Sequence, residues 1–255
     1  MSFLKTKKTK INIWSKKIKI ITSLTNQYIK DLYELRKNSV KREKNLFLVD
    51  GEDFIQMAYE SNSLVEILTL EFNSKYEDIN QTIVTPAILQ KLSPNVSSSK
   101  IIGVCKYNLN HELVGNKILY LDGVQDPGNV GTLIRTALAF SYNAVVLSND
   151  SASIYNDKVI SATKGALFKI NIYDNCSLKD LKEKGYQIIV TSLKYAVNYK
   201  DVKLQDKFVL VLGIEGQGVK EESILLASDI CKIEMSNIDS LNVGVAGGIL
   251  MNEYR

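Results

Sequence analysis

Residues 233–251 read Ile233-Glu234-Met235-Ser236-Asn237-Ile238-Asp239-Ser240-Leu241-Asn242-Val243-Gly244-Val245-Ala246-Gly247-Gly248-Ile249-Leu250-Met251. This is a strand end, a polar loop and an apolar helix that breaks a composition rule. Each Gly in a helix interior costs about 1 kcal/mol relative to Ala. Gly244, Gly247 and Gly248 recur at three- and four-residue spacing and so share one helix face. On that face either a packed neighbour or a ligand comes close to the backbone.

Upstream of this helix, strand-like and helix-like segments alternate. Strands are predicted at residues 117–124, 144–147, 169–172, 186–191, 208–212 and 230–234, and helices at 131–140, 157–167, 178–184 and 221–227. Such alternation implies a mostly parallel sheet covered on both faces, with ligands beyond the carboxyl ends of the strands. A second, smaller α/β pattern lies further towards the N-terminus. It has a helix over 21–44, strands at 46–49, 65–70, 82–84 and 101–104, and helices at 53–60 and 86–92, with Pro86 in the first turn. The segment 109–116 is polar enough to be a linker, and it holds the single histidine, His111.

At 255 residues, 45% apolar and 24% charged, the chain has the composition of a globular protein with a substantial core. One histidine excludes a His-based triad or multi-His metal site, so no metal is expected. Cys105, Cys176 and Cys231 are widely spaced and odd in number, which points to a reducing, cytoplasmic compartment. No apolar run approaches membrane length. Charge is uneven: residues 1–44 hold thirteen Lys or Arg against three acidic residues, a surplus of ten, while the whole chain is +4, leaving −6 for the rest. A basic arm on an acidic body suits a polyanion, either through the 1–17 tail or through the helix that follows it; a merely solvated tail is the alternative.

Three turns at predicted strand ends carry chemistry. In Asp126-Pro127-Gly128-Asn129-Val130-Gly131-Thr132-Leu133-Ile134-Arg135, Pro127-Gly128 fits a type II turn and Asn129 a helix cap. Leu133, Ile134, Ala137 and Leu138 cluster on the other side of that helix, so Arg135 points away from the core. There it meets an external anion or forms a surface salt bridge. In Leu212-Gly213-Ile214-Glu215-Gly216-Gln217-Gly218, glycines surround one carboxylate, but the order is neither a dinucleotide fingerprint nor a Walker loop. The third turn, Ser240-Leu241-Asn242, opens the glycine-bearing helix.

With all three turns in this order, residues from about 117 to 255 resemble the SpoU/TrmH branch of the SPOUT superfamily, RNA 2'-O-ribose methyltransferases. The basic helix followed by Phe47-Leu48-Val49-Asp50-Gly51 is similar to the L30e-like substrate-binding domain that often precedes it. The resemblance implies an α/β fold with a C-terminal trefoil-knotted, mostly parallel sheet behind a small L30e-like α/β domain. The division is a basic tail 1–17, a substrate-binding domain 18–108, a linker 109–116 and a methyltransferase domain 117–255. It also implies S-adenosylmethionine as cofactor, a homodimer whose active site draws on both subunits, and an RNA substrate, with large-subunit rRNA favoured over tRNA. A noncatalytic RNA-binding or ribosome-assembly protein on the same fold is the rival reading. By the same resemblance, Asn129, Arg135, Glu215, Ser240 and Asn242 are the catalytic candidates. Thr191, Leu212, Gly213, Ile214, Gly218, Ile233, Met235 and Leu241 are the cofactor candidates, and Arg36, Lys37, Lys41, Arg42 and Lys44 the RNA-binding ones. Glu234 stands where the family usually has Pro. Removal of residues 1–108 is expected to leave cofactor binding intact.

Overall fold

A computed structural model describes residues 18–93, 100–107, 115–174, 176–214 and 216–255. The basic tail 1–17, His111, most of the linker and Glu215 lie outside the described residues.

The larger sheet has seven parallel strands: β6 (Lys117–Leu121), β7 (Ala144–Leu147), β8 (Asn171–Tyr173), β9 (Gln187–Thr191), β10 (Val197–Asn198), β11 (Phe208–Leu212) and β12 (Asp229–Lys232). Their order is β10-β12-β9-β11-β6-β7-β8. The central strands Lys-Ile-Leu-Tyr-Leu and Phe-Val-Leu-Val-Leu are apolar almost throughout because both of their faces are covered. Leu119, Leu121, Leu210 and Leu212 face α5 (Pro127–Ala139), α6 (Asp157–Thr163) and α9 (Val243–Glu253). Ile118, Tyr120, Val209 and Val211 face α7 (Leu178–Glu183) and α8 (Glu221–Leu226).

The smaller sheet contains β1 (Lys19–Ile21), β2 (Leu46–Asp50), β3 (Leu64–Thr69), β4 (Asn80–Val84) and β5 (Ile101–Lys106), in the order β1-β4-β3-β5-β2. One face packs on α1 (Gln27–Glu34) and α4 (Pro86–Leu92). The other packs on α3 (Glu52–Glu60), and its core runs without a break into that of the larger sheet. Phe47 stacks on Phe168 at 5.8 Å between centroids, and Tyr107 meets Tyr155 edge-on at 4.6 Å. A domain that can be removed without exposing its neighbour is therefore not what folds here.

The single helix expected over 21–44 is corrected to β1, α1 and a separate α2 (Asn38–Lys44). Ser23, Thr25 and Asn26 engage one another and nearby backbone, Asn26 capping α1 through Tyr28 N–H. Lys37, in extended backbone, separates the two helices. The type II turn at Pro127-Gly128 is also corrected. Pro127 is the first residue of α5, where its fixed φ is already helical, and the cap is Asp126, whose carboxylate accepts from Asn129 N–H at 2.8 Å. The Asn129 side chain is thereby left to face α9.

The glycine face of α9 lies on α5. A Cβ on Gly247 would sit 2.4 Å from Leu133 Cδ2 and 2.8 Å from Leu212 Cδ1, whereas one on Gly248 would meet only Thr136 Cγ2 at 4.0 Å. Gly247→Ala should therefore destabilise the protein by about 1–3 kcal/mol. Gly248→Ala should stabilise it by up to about 1 kcal/mol through helix propensity. Denaturant unfolding of the two variants checks the contrast, and equal effects would refute it.

Candidate active site

Three loops leave the carboxyl ends of β9, β11 and β12 and enclose one cleft of about 830 Å³. The first is tied to the sheet by Thr191 Oγ1, which donates to the Val211 carbonyl at 3.0 Å, and by Ser192 N–H to the Cys231 carbonyl at 3.0 Å. The second closes on itself. Ile214 and Gly218 exchange two backbone hydrogen bonds, each 2.8 Å, and Gly216 and Gly218 adopt φ of +77° and +78°. The third carries Ile233, Met235, Ser240 and Leu241 to the opposite wall and ends where Asn242 caps α9.

All eight residues expected to hold a cofactor line this cleft: Thr191, Leu212, Gly213, Ile214, Gly218, Ile233, Met235 and Leu241. Glu234 is exposed and does not line it. The chemistry fits S-adenosylmethionine. Apolar side chains form a slot for a planar base, and glycine-lined backbone supplies donors and acceptors at close range. Gly213 marks how close, since a Cβ there would fall 2.2 Å from the backbone of Gly218.

Of the five catalytic candidates, Ser240 lines the cleft, and Asn129 and Asn242 are joined by a hydrogen bond from Asn242 Nδ2 to Asn129 Oδ1 at 3.1 Å. The Asn242 side-chain Oδ1 accepts from Gly244 and Val245 N–H, which fixes the amide's orientation. Arg135 is exposed on α5 and does not line the cleft, and its side chain makes no hydrogen bond or ion pair with another described residue. Glu215 is outside the described residues.

Lys41 is corrected. Its side chain is only 1% exposed and is paired with Asp157, so it is not part of a solvent-facing RNA surface. A run of cations on a short helix reads as a solvated face until a distant carboxylate claims one of them. Arg36, Lys37 and Lys44 are exposed. Arg42 is exposed as well but reaches Asp174 at 3.3 Å. Sequence reasoning missed Tyr33, which is partly exposed, with the Arg36 guanidinium and the Lys91 ammonium each 5.5 Å from its ring centre.

It also missed the group that anchors the second loop. Buried Asp122 accepts from Lys220 N–H at 2.9 Å and Ser223 Oγ at 2.7 Å, while Lys220 Nζ lies 3.6 Å from Asp122 and 2.7 Å from Asp150. The hydrogen bond from Lys220 holds the Asp150 carboxyl below its usual range, and Asp150 in turn raises the Lys220 ammonium. The Asp150 contribution is present above the ordinary carboxylate pKa and is lost as pH falls through the depressed value. That of Lys220 is present below its ordinary pKa and is lost as pH rises through the raised one. Cofactor affinity should therefore be level from about pH 5 to about pH 9. Lys220→Met should lower it by about tenfold, as expected for a charge-assisted bond that is partly screened. Calorimetry across that range tests both statements.

Among the described residues no group of three or more His, Cys, Asp or Glu could hold a metal, and no helix is long and apolar enough to cross a membrane. The three cysteines are free, and burial pushes the Cys105 and Cys231 thiols up.

Residues 116–252 match the SpoU rRNA Methylase family. The 23S rRNA (guanosine(2553)-2'-O)-methyltransferase RlmP of Bacillus subtilis is 29% identical over 93% of this chain and 100% of its own length. An uncharacterized tRNA/rRNA methyltransferase of Mycoplasma genitalium is 30% identical over 72% of this chain and 76% of its own. In fold, the chain is similar to the crystal structure of an AdoMet-bound rRNA methyltransferase from Sinorhizobium meliloti, with a TM-score of 0.82 at 24% identity, covering 92% of this chain and 97% of that one.

Proposed function

The chain belongs to the SpoU rRNA methylase family, and from that premise we propose that it methylates a ribose 2'-hydroxyl of large-subunit rRNA with S-adenosylmethionine as donor. The observation that carries the reading is the cleft at the ends of β9, β11 and β12, whose walls contain every residue expected at the cofactor. The preference for rRNA rests on the full-length similarity to the Bacillus subtilis enzyme.

The cofactor supplies a methyl group bound to a sulfonium. What the chain must add is alignment and charge. Asn242, held by α9 and by Asn129, presents a fixed amide at the edge of the cleft. Arg135 binds the phosphate next to the target ribose and stabilises negative charge on the attacking oxygen. It stays protonated throughout, because a guanidinium does not give up its proton in proteins. Since Arg135 lies on the exposed flank of α5, outside its own cleft, we propose a homodimer in which a second copy brings its Arg135 to this cleft.

Residues 18–108 serve as the substrate-binding domain, with Arg36, Lys37, Arg42, Lys44 and the Tyr33 cluster facing RNA, and 117–255 as the methyltransferase domain. The trefoil knot belongs to the same reading, supported by β11 lying between the earlier strands β6 and β9. A cytoplasmic location accords with the free cysteines. The test is incubation of the protein with 23S rRNA and labelled S-adenosylmethionine, followed by mapping of 2'-O-methyl sites. Label on a base, or cofactor binding with no transfer to ribose, would defeat the proposal.

A further inference from the structure

Lys41 sits on α2 among cations that reach solvent, yet its ammonium is buried where α2 meets the start of α6. It donates to the Tyr155 carbonyl at 2.8 Å and pairs with Asp157, the first residue of α6. Its neighbour Arg42 spans the same seam, 3.3 Å from Asp174 and 5.3 Å over the Tyr155 ring. Lysine is almost never fully buried unless paired, and an apolar substitute often stabilises as well as a buried ion pair or better. What the pair adds is direction. One ammonium bonded to two acceptors favours one orientation, whereas apolar contact such as that of Phe47 on Phe168 is non-directional.

The other side of α6 is pressed on α5. A Cβ on Gly131 would lie 2.4 Å from Ala162 Cβ and 2.7 Å from the Val159 carbonyl oxygen. The helix that receives Lys41 is thus the one against which the helix of Asn129 and Arg135 is seated.

We propose that Lys41 is a positioning residue whose pair with Asp157 fixes the RNA-holding unit on α6. RNA bound to the basic surface of α1 and α2 then meets the methyl-transfer site at one set distance. The nucleotide is chosen by that spacing as well as by contacts to bases. The proposal rests on the reading of the chain as an RNA 2'-O-methyltransferase.

The experiment uses the full chain with Lys41→Met and, approached from the other side of the same contact, Asp157→Asn. Four quantities are read: cofactor affinity, small-angle scattering, kcat/KM on a long rRNA fragment, and the distribution of 2'-O-methyl groups along it. Cofactor affinity should stay within about twofold. Activity on the fragment should fall about tenfold to a hundredfold, in keeping with the cost of misplacing a substrate by about 1 Å. Methyl groups should spread to neighbouring nucleotides. If Lys41→Met does not fold, Asp157→Asn, which keeps an oxygen acceptor, carries the test. An unchanged methylation profile in a variant whose scattering shows loosened docking would overturn the proposal. So would an equal loss of cofactor affinity and RNA activity, the mark of a merely structural role. Absence of ribose methylation by the unaltered protein would instead defeat the functional reading. Scattering would then still report on the pair, expansion on Lys41→Met supporting its role in docking and an unchanged envelope refuting it.

Discussion

Gly213→Ala weakens S-adenosylmethionine binding by about a hundredfold or more while the chain still folds, the largest effect expected at the cleft. A methyl group there would fall 2.2 Å from the carbonyl carbon and oxygen of Gly218 and 2.3 Å from Val219 N. None of these is the end of a flexible side chain. Relief requires the loop to open, at the cost of the two 2.8 Å hydrogen bonds between Ile214 and Gly218. With each 1.4 kcal/mol worth a factor of ten in affinity, the strain and lost bonds amount to about a hundredfold or more. Gly216→Ala is the informative control. Nothing lies within 4 Å of its Cβ, but its φ of +77° disfavours an L side chain, by about 1–2 kcal/mol. Calorimetry should rank wild type, Gly216→Ala and Gly213→Ala in that order. Normal binding by Gly213→Ala would show that the cofactor does not sit in this loop.

The second large effect is at Arg135. Arg135→Lys keeps the charge but loses the planar fork, and methyl transfer at saturating RNA should drop by about 10²–10³-fold with cofactor affinity unchanged. Unimpaired turnover would remove any need for the guanidinium. The same variant tests the second copy. Mixed and re-paired with Gly213→Ala, it should recover activity. In mixed dimers one cleft combines an intact loop with an intact Arg135, so about a quarter of all clefts work under random pairing of a two-fold dimer. If Arg135 served its own cleft, every cleft in the mixture would carry one defect and no activity would return.

Sequence alone made the central strands and the glycine-rich turn after β11 legible. β7, β11 and α4 fall at residues 144–147, 208–212 and 86–92, where apolar runs end abruptly at polar or turn residues. Glycines marked the turn after β11, while the other residues that line the cleft came from the family resemblance that the three turns carry. Elements of two or three residues, β1 and β10, carry too little pattern to be found. Lys41 was misread for a different reason. Helical charge spacing describes a face but not what covers it, and its partner Asp157 is 116 residues away in the chain. Asp122, Asp150 and Lys220 escaped in the same way, a constellation assembled only by the order of strands.

The core shared by the two sheets has a thermodynamic meaning. A chain whose sheets had separate cores would unfold in two steps, and a ligand would protect only the half that binds it. Here the sheets lose their common apolar contacts together, so the molecule behaves as one cooperative unit. Free energy gained when S-adenosylmethionine fills the cleft is drawn on by both halves. Filling the cleft should therefore raise the unfolding temperature of the basic half together with that of the larger sheet.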